Sequence, residues 1–484
     1  MQIVMAASEC VPFAKTGGLA DVMGALPPEL VRLGHQVTLY LPRYRGVEAY
    51  LTEAKVAIRS LTVPFEDYNR FVTVIDGGLR EGVQLYFLDC PEMFDREGLY
   101  GTAAGDHPDN AERFGLFARA VLEASKQLGV PDVFHVHDWQ ASLIPVYLRT
   151  TYYFDPVLRN VPCVLTVHNA GYQGWFPPIT TERLLLPWDI FNMDRVEHYD
   201  TFDFLKGGVV YSDAITTVSK RYAEEVQMPE FGFGLDAIFR RRAADLHGIL
   251  NGVDYTEWDP ATDHNIAAHY TAKSMDGKRE CRRDLLHAYQ LDKVPETTPI
   301  VGVVSRLAKQ KGMDLIAGIA PQLAQEEMVL LVLGSGEQAY ETLFRGLSGR
   351  WPGKIAVHLK YDNVLAHKVE AGADIFLMPS RYEPCGLNQI YSMKYGTPPV
   401  VRATGGLDDT VEEWDPETRT GTGFKFSSTE PLDLLAALRR AFAAFQDKAA
   451  WRQLMKNGMA QEFTWSKPAR EYVAVYEEVV RRRS

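Results

Sequence analysis

The sequence predicts an α/β protein with two halves, each a parallel sheet covered by helices. Three observations predict it. Short runs rich in Val, Ile and Leu recur without clean polar alternation, the pattern of strands buried on both faces. The stretches between them are long enough for helices, so strand and helix alternate as βα units. A polar stretch over 259–284 then breaks the rhythm, and a second series of apolar runs starts after it.

In chain order, the first half offers runs at 3–7 (IVMAA), 35–42 (HQVTLYLP), 83–89 (VQLYFLD) and 133–139 (VFHVHDW). It continues with 163–169 (CVLTVHN), 214–219 (AITTVS) and 247–254 (HGILNGVD). The second half offers 299–307 (PIVGVVSRL), 329–336 (VLLVLGSG), 355–361 (IAVHLKY), 375–380 (IFLMPS) and 398–404 (PPVVRAT). A boundary is expected within 255–290, giving a first domain over 1–255 and a second over 256–460. The stretch from about 455 to 484 reads as helical, and Arg481-Arg482-Arg483 as its solvated end. One internal echo links the halves. Thr16-Gly17-Gly18-Leu19-Ala20-Asp21 and Thr404-Gly405-Gly406-Leu407-Asp408-Asp409 each lie between an apolar run and a helix-like segment, which suggests a shared βα-turn role.

Length and composition bound the function. The 484 residues exceed one ordinary core, and 46% hydrophobic with 24% charged residues is a usual globular balance. Lys and Arg number 51 against 63 Asp and Glu, a formal charge of -12, whereas a general nucleic-acid binder needs a basic surface. No apolar run reaches the roughly 20 residues that span a bilayer. Five cysteines, Cys10, Cys90, Cys163, Cys281 and Cys385, are scattered without a C-x-x-C pair and read as reduced thiols. The start, MQIVMAASEC, reads as a strand and not as a signal peptide. The expectation is a cytoplasmic protein that engages neither nucleic acid nor membrane.

Four segments could carry chemistry. Gly17-Gly18, with Lys15 before and Asp21 after, removes side chains at a strand-to-helix turn, so amide N–H groups could approach a phosphate. A plain tight turn with a surface lysine fits equally. Arg306 and Lys311 bring two cations to the end of the second half's first run, where open parallel sheets bind ligands. The other reading is a solvated basic turn. Glu383, in the run 379–388, could accept hydrogen bonds from sugar hydroxyls beside amides that face a phosphate, or simply cap a helix. His168 and Asn169 end the 163–169 run, where a histidine is often only a satisfied structural residue.

Two further patterns carry less. Gly334-Ser335-Gly336-Glu337-Gln338-Ala339 fits the dinucleotide fingerprint, with Asp362 at the distance of a ribose-binding acid, yet it follows the second run of its half. His135 and His137 share one face of a strand, a spacing some metal hydrolases use, but nothing completes the ligand set. That strand end is read instead as presenting Asp138 and Trp139. No Asp-x-Asp occurs, so a departing diphosphate would be stabilised by protein cations and amides.

Together these segments resemble the family of bacterial glycogen synthases and plant starch synthases, over nearly the whole chain. The resemblance is carried by Lys15-Thr16-Gly17-Gly18-Leu19-Ala20-Asp21, His137-Asp138-Trp139-Gln140, Thr166-Val167-His168-Asn169 and Ile249-Leu250-Asn251-Gly252-Val253-Asp254. It continues through Ser305-Arg306-Leu307 with Gln310-Lys311-Gly312, Glu383-Pro384-Cys385-Gly386-Leu387 and Thr404-Gly405-Gly406-Leu407. It implies two Rossmann-like domains facing a deep cleft, the glycosyltransferase B type, with residues 461–484 as a helix crossing back to the first domain. The implied activity is transfer of glucose from ADP-glucose to the non-reducing end of an α-1,4-glucan such as glycogen. Configuration is retained, ADP is released, and no cofactor or metal is used.

The resemblance also implies roles. Arg306 and Lys311 match the pair that binds the departing diphosphate, Glu383 the acid that holds the donor glucose hydroxyls, and His168 the histidine near the anomeric centre. These four are the expected catalytic group. Cys385, Gly386 and Leu387 match the turn facing donor sugar and phosphate. Lys15, Gly18 and Asp21 match the loop that closes over the donor. Asp138 and Asn169 match groups close to the glucose, Asn251 matches another cleft residue, and Tyr361 is the stacking partner for the adenine. Two departures stand out: Asn388 replaces the usual threonine, and Ala170-Gly171 varies the residues after the His-Asn pair.

Three other readings stay open. One is a related transferase that uses UDP-glucose or builds another glycan. Another is an NAD-dependent oxidoreductase resting on Gly334 to Ala339, and the third a two-domain sugar-binding protein without catalysis. Retention needs either a covalent intermediate, for which Glu383 is the candidate, or attack from the leaving-group face with an ADP oxygen taking the acceptor's proton. The second route is the expectation.

Overall fold

Nine strands form the larger sheet: β1 (Gln2–Ala6), β2 (Gln36–Pro42), β3 (Lys55–Phe65), β4 (Tyr68–Arg80), β5 (Val83–Asp89), β6 (Val133–His137), β7 (Cys163–Val167), β8 (Ala214–Thr217) and β9 (Leu246–Gly248). They come from a computed structural model that describes residues 1–51, 53–65 and 68–483. The chain divides into two units, Met1–Gly252 with Trp465–Ser484, and Val253–Thr464. No helix among the described residues is long and apolar enough to cross a membrane.

In the first unit the strand order is β9-β8-β7-β6-β1-β2-β5-β4-β3. β6, β7 and β8 are buried at every residue, which is why their sequences run apolar without alternation. The sheet is not wholly parallel, however: β3 and β4 form an antiparallel hairpin on β5. In β3, Leu61, Val63 and Phe65 are buried while Thr62 between them is exposed, the alternation of a one-sided strand. The apolar runs pick out doubly buried strands and pass over this edge.

Helix α1 (Gly18–Arg32) follows β1, and α2 (Asn110–Leu128) precedes β6. The C-terminal helix, Ser466–Arg483, also belongs to this unit and packs on α1 and β7. Its buried residues Ala469, Tyr472, Val475, Tyr476 and Val479 recur at helical spacing. The arginines at its end are more than solvated: Arg482 pairs with Asp245 at 2.7 Å and Arg483 with Asp213 at 2.6 Å.

The second unit holds a six-stranded parallel sheet: β10 (Ile300–Val304), β11 (Val329–Leu333), β12 (Ile355–His358), β13 (Ile375–Met378), β14 (Pro399–Arg402) and β15 (Phe424–Phe426). Its order is β12-β11-β10-β13-β14-β15, so the winding reverses between β10 and β13. One face packs Val301, Val303 and Leu377 against Leu315, Ile316 and Ile319 of α3 (Met313–Leu323). The other packs Ile300, Leu331 and Phe376 with Leu285 and with Val369 of α4 (Asn363–Gly372). Each such fully buried side chain contributes about 1.5–3 kcal/mol.

The polar stretch 259–284 is built into this unit. Buried Asp263 accepts hydrogen bonds from His367 Nδ1 (2.8 Å) and the Tyr395 hydroxyl (2.6 Å). Trp258 stacks on the same histidine ring at 3.7 Å between centroids. Part of its polarity thus serves a buried hydrogen-bond network around Asp263.

Candidate active site

Many of the expected site residues follow the carboxyl ends of strands, and direct contacts join Asp138 with His168 in the first unit and Lys311 with Glu383 in the second. In the first unit, chain order departs in both directions from the neighbouring pair β1 and β6, the kind of point where open α/β sheets bind ligands. Asp138 follows β6 and His168 follows β7. The Asp138 carboxylate accepts the backbone N–H of His168 at 2.7 Å, and its own φ is +54°, uncommon for a side-chain-bearing residue. Burial pushes this carboxyl up to about 7, partly offset by the N–H groups of His168 and Asn169.

Behind these two lies a row of imidazoles. His168 Nε2 faces His137 Nδ1 at 3.0 Å. His135 packs against His137 with centroids 4.2 Å apart and the rings tilted by 42°. His135 Nε2 meets Thr166 Oγ1 at 2.6 Å and its Nδ1 meets the Tyr476 hydroxyl at 2.7 Å, so both nitrogens are engaged and neither is left for a metal. Burial drives His135 and His168 down to about 3 and His137 well below the usual range, so all three rings are neutral at pH 7. Asn251, three residues past β9, is buried with no partner for its Oδ1 among the described residues.

The first Gly-Gly turn behaves differently from the expectation. The amides of Thr16 and Gly17 do not stand open for a phosphate; both donate to Glu9 Oε2, at 2.6 and 3.1 Å. Glu9 Oε1 accepts from the Thr16 and Tyr100 hydroxyls at 2.6 and 2.7 Å. This buried carboxylate, just past β1, therefore fixes the loop that carries Lys15 and Gly18. Lys15 pairs with Asp21 at 2.6 Å on the surface, and a Cβ on Gly18 would meet nothing within 4 Å.

In the second unit the group lies at the reversal between β10 and β13. Lys311 Nζ donates to Glu383 Oε2 at 2.5 Å, and Ser380 Oγ donates to the same oxygen at 3.0 Å. The Glu383 side chain is 8% exposed and that of Lys311 19%, so the pair is largely desolvated. Arg306 is exposed and, among the described residues, meets only Gln310 Oε1, at 3.5 Å. Arg381, salt-bridged to Asp314 at 2.6 Å, and Arg402, donating to Ser380 O at 2.9 Å, brace the Glu383 loop. Tyr361, after β12 and 80% exposed, touches Asn363 Oδ1 through its hydroxyl at 3.2 Å.

Cys385 is buried and Leu387 half-buried just before helix α5 (Asn388–Lys394). Gly386 has a φ of +72°, which a side chain would strain. Asn388 donates from Nδ2 to Val304 O at 3.1 Å, tying α5 to the end of β10. In the second Gly-Gly turn, Cβ atoms on Gly405 and Gly406 would come within 2.0 Å of Glu383 O and 2.1 Å of Cys385 O. Here the glycines exist for backbone packing against the Glu383 loop, so the two echoes share a place in the fold but not a task.

Residues 2–241 match the family model of the starch synthase catalytic domain, and residues 291–455 that of glycosyl transferases group 1. The glycogen synthase of Koribacter versatilis is 57% identical over 99% of this chain and 98% of that protein. The chain belongs to the glycogen and starch synthase family of glycosyltransferases. A glycogen synthase of Anaeromyxobacter sp. is 45% identical over 98% of this chain and 99% of its own. The catalytic domain of starch synthase IV from Arabidopsis thaliana, solved bound to ADP and acarbose, superposes with a TM-score of 0.88 at 31% identity, covering 99% of each chain. A sucrose-phosphate synthase from Thermosynechococcus elongatus shares the fold alone, with a TM-score of 0.59 at 19% identity over 99% of each chain.

The glycosyltransferase B fold and the enzyme class follow, and the oxidoreductase reading falls. A synthase of this family has its own use for the dinucleotide-like glycines. A Cβ on Gly334 would come within 1.8 Å of Ser305 O, and one on Gly336 within 2.4 Å of Leu307 O. They let two strand-end loops touch. Asp362, the supposed ribose acid, caps α4 by accepting from Leu365 N at 3.0 Å.

Proposed function

We propose that this glycosyltransferase moves glucose from ADP-glucose to the non-reducing end of an α-1,4-glucan, with retention of configuration and release of ADP. The observation that carries the reading is the desolvated Lys311–Glu383 pair beside exposed Arg306 at the winding reversal of the second unit. A nucleoside diphosphate sugar needs cations for its phosphates and an acceptor of hydroxyl hydrogen bonds for its sugar. Arg306 and Lys311 supply the first, Glu383 Oε1 the second. The Arabidopsis relative's bound ADP supports an adenine nucleotide, with Tyr361 offering an open ring for the base. Five scattered cysteines without a C-x-x-C pair suit a cytoplasmic location.

Breaking the bond from C1 to phosphate builds positive charge on the sugar and negative charge on departing ADP. Donors aimed at such developing charge are each worth about 2.7–4 kcal/mol of barrier. Lys311, already held at Glu383, needs little reorganisation to share its ammonium with a phosphate oxygen. With Oε2 committed to Lys311 and Ser380 and Oε1 assigned to the donor hydroxyls, neither Glu383 oxygen is left to attack C1. The acceptor hydroxyl therefore attacks C1 from the leaving-group face as the C1–O bond breaks, and an ADP oxygen takes its proton.

Incubation with ADP-glucose and a maltooligosaccharide tests this. The account expects chains longer by whole glucose units, matching ADP release, and an α-anomeric proton signal for the new linkage. A β linkage, or chain growth without ADP, would refute it. A glucosylated Glu383 peptide in mass spectra would replace the same-face route with a covalent one.

A further inference from the structure

His168 is held through one ring nitrogen and open at the other. Its Nε2 faces His137 Nδ1 at 3.0 Å, while its Nδ1 has no partner among the described residues. Both rings are neutral, since burial depresses both. Two facing nitrogens then share one proton, and either ring could be the donor.

The far side of His137 decides between them. Its Nε2 is buried and has no partner among the described residues. If His168 donated, the His137 proton would sit on that Nε2, a buried N–H with no acceptor, a costly state that proteins rarely tolerate. If His137 donates, its Nε2 is a bare lone pair, and no donor is stranded. The His135 ring, tied at both nitrogens to Thr166 and Tyr476, packs against His137 with centroids 4.2 Å apart at 42° and hinders that ring from turning over.

We propose that His137 is the positioning residue that fixes the tautomer of His168: it donates from Nδ1 to His168 Nε2, so that His168 carries its own proton on the open Nδ1. His168 then offers a neutral N–H donor, which can hold a sugar hydroxyl oxygen but cannot accept a proton there. The tautomer follows from this geometry with both rings neutral; its use in glucosyl transfer rests on the reading given above.

The direct test is nitrogen NMR on the full chain with labelled histidine near neutral pH, the His168 signals being assigned by their loss in His168→Asn. The expected result is a protonated Nδ1 and a bare Nε2 on His168, and the reverse pattern overturns the proposal whatever the enzyme's substrate proves to be. The functional arm compares His137→Phe with His137→Asn, whose amide can replace the Nδ1 donor. His137→Phe is expected to lower kcat by about tenfold or more, the direction seen when a catalytic imidazole loses its tautomer-setting partner, with a much smaller change in donor KM. His137→Asn is expected to recover most of that loss. Wild-type kcat in a folded His137→Phe enzyme would overturn the positioning role.

Discussion

Arg306 and Lys311 carry the same charge in very different surroundings, and the difference is testable. Arg306 is exposed with one long contact, so Arg306→Ala is expected to change stability by no more than about 0.5 kcal/mol. Its kcat is expected to fall on the order of a hundredfold if it stabilises the leaving diphosphate. Lys311→Ala should lose a similar factor but also stability, because it strands the Glu383 carboxylate in a largely desolvated site. Steady-state rates beside urea unfolding check both; an Arg306→Ala enzyme with normal turnover would remove that residue from the mechanism. Motifs made these side chains legible as candidates. The Lys311–Glu383 contact was not, because its partners lie 72 residues apart and meet only through adjacent strand ends. Glu9 escaped for the same reason: a lone acid after a strand says nothing about the amides it will meet.

Asp138 gives a second residue-scale prediction. Its folded pKa, up to about 7, lies above the ordinary unfolded value of about 3.9. Between those values the folded chain holds a proton that the unfolded chain has lost, so this group's contribution to stability falls as pH rises and levels off above 7. Asp138→Asn keeps an oxygen for the His168 N–H and removes the titration. Its stability relative to wild type is expected to rise from pH 5 to pH 8 in urea unfolding. Parallel profiles would contradict the assignment.

Among the elements, the C-terminal helix is tied most specifically to the chemistry. It reaches the imidazole row through Tyr476, whose hydroxyl meets His135 Nδ1. Tyr476→Phe leaves a buried nitrogen unpaired and is expected to cost about 1–3 kcal/mol in unfolding free energy. A cost near zero would show that the contact does not hold the row. Helical spacing in this segment was readable, and so were the doubly buried strands. The β3–β4 hairpin was not, because its half-exposed alternation lacks the continuous apolar signal of its neighbours. The arginine run is exposed as expected, but its ion pairs were not readable, because the acidic partners Asp213 and Asp245 lie far back in the chain.

For the whole molecule, a formal charge of -12 favours an anionic ligand only where cations are concentrated, as Arg306 and Lys311 are after β10. Fold class and enzyme family were legible because many short motifs occur in a fixed order. Nucleotide choice was not, since Tyr361 offers an aromatic face to any base. Transfer of radiolabelled glucose onto glycogen, from ADP-glucose and UDP-glucose side by side, tests the central claim most directly. The account predicts that label enters the polymer from ADP-glucose and far more slowly, if at all, from UDP-glucose. Equal or faster incorporation from UDP-glucose, or none from either, would contradict it.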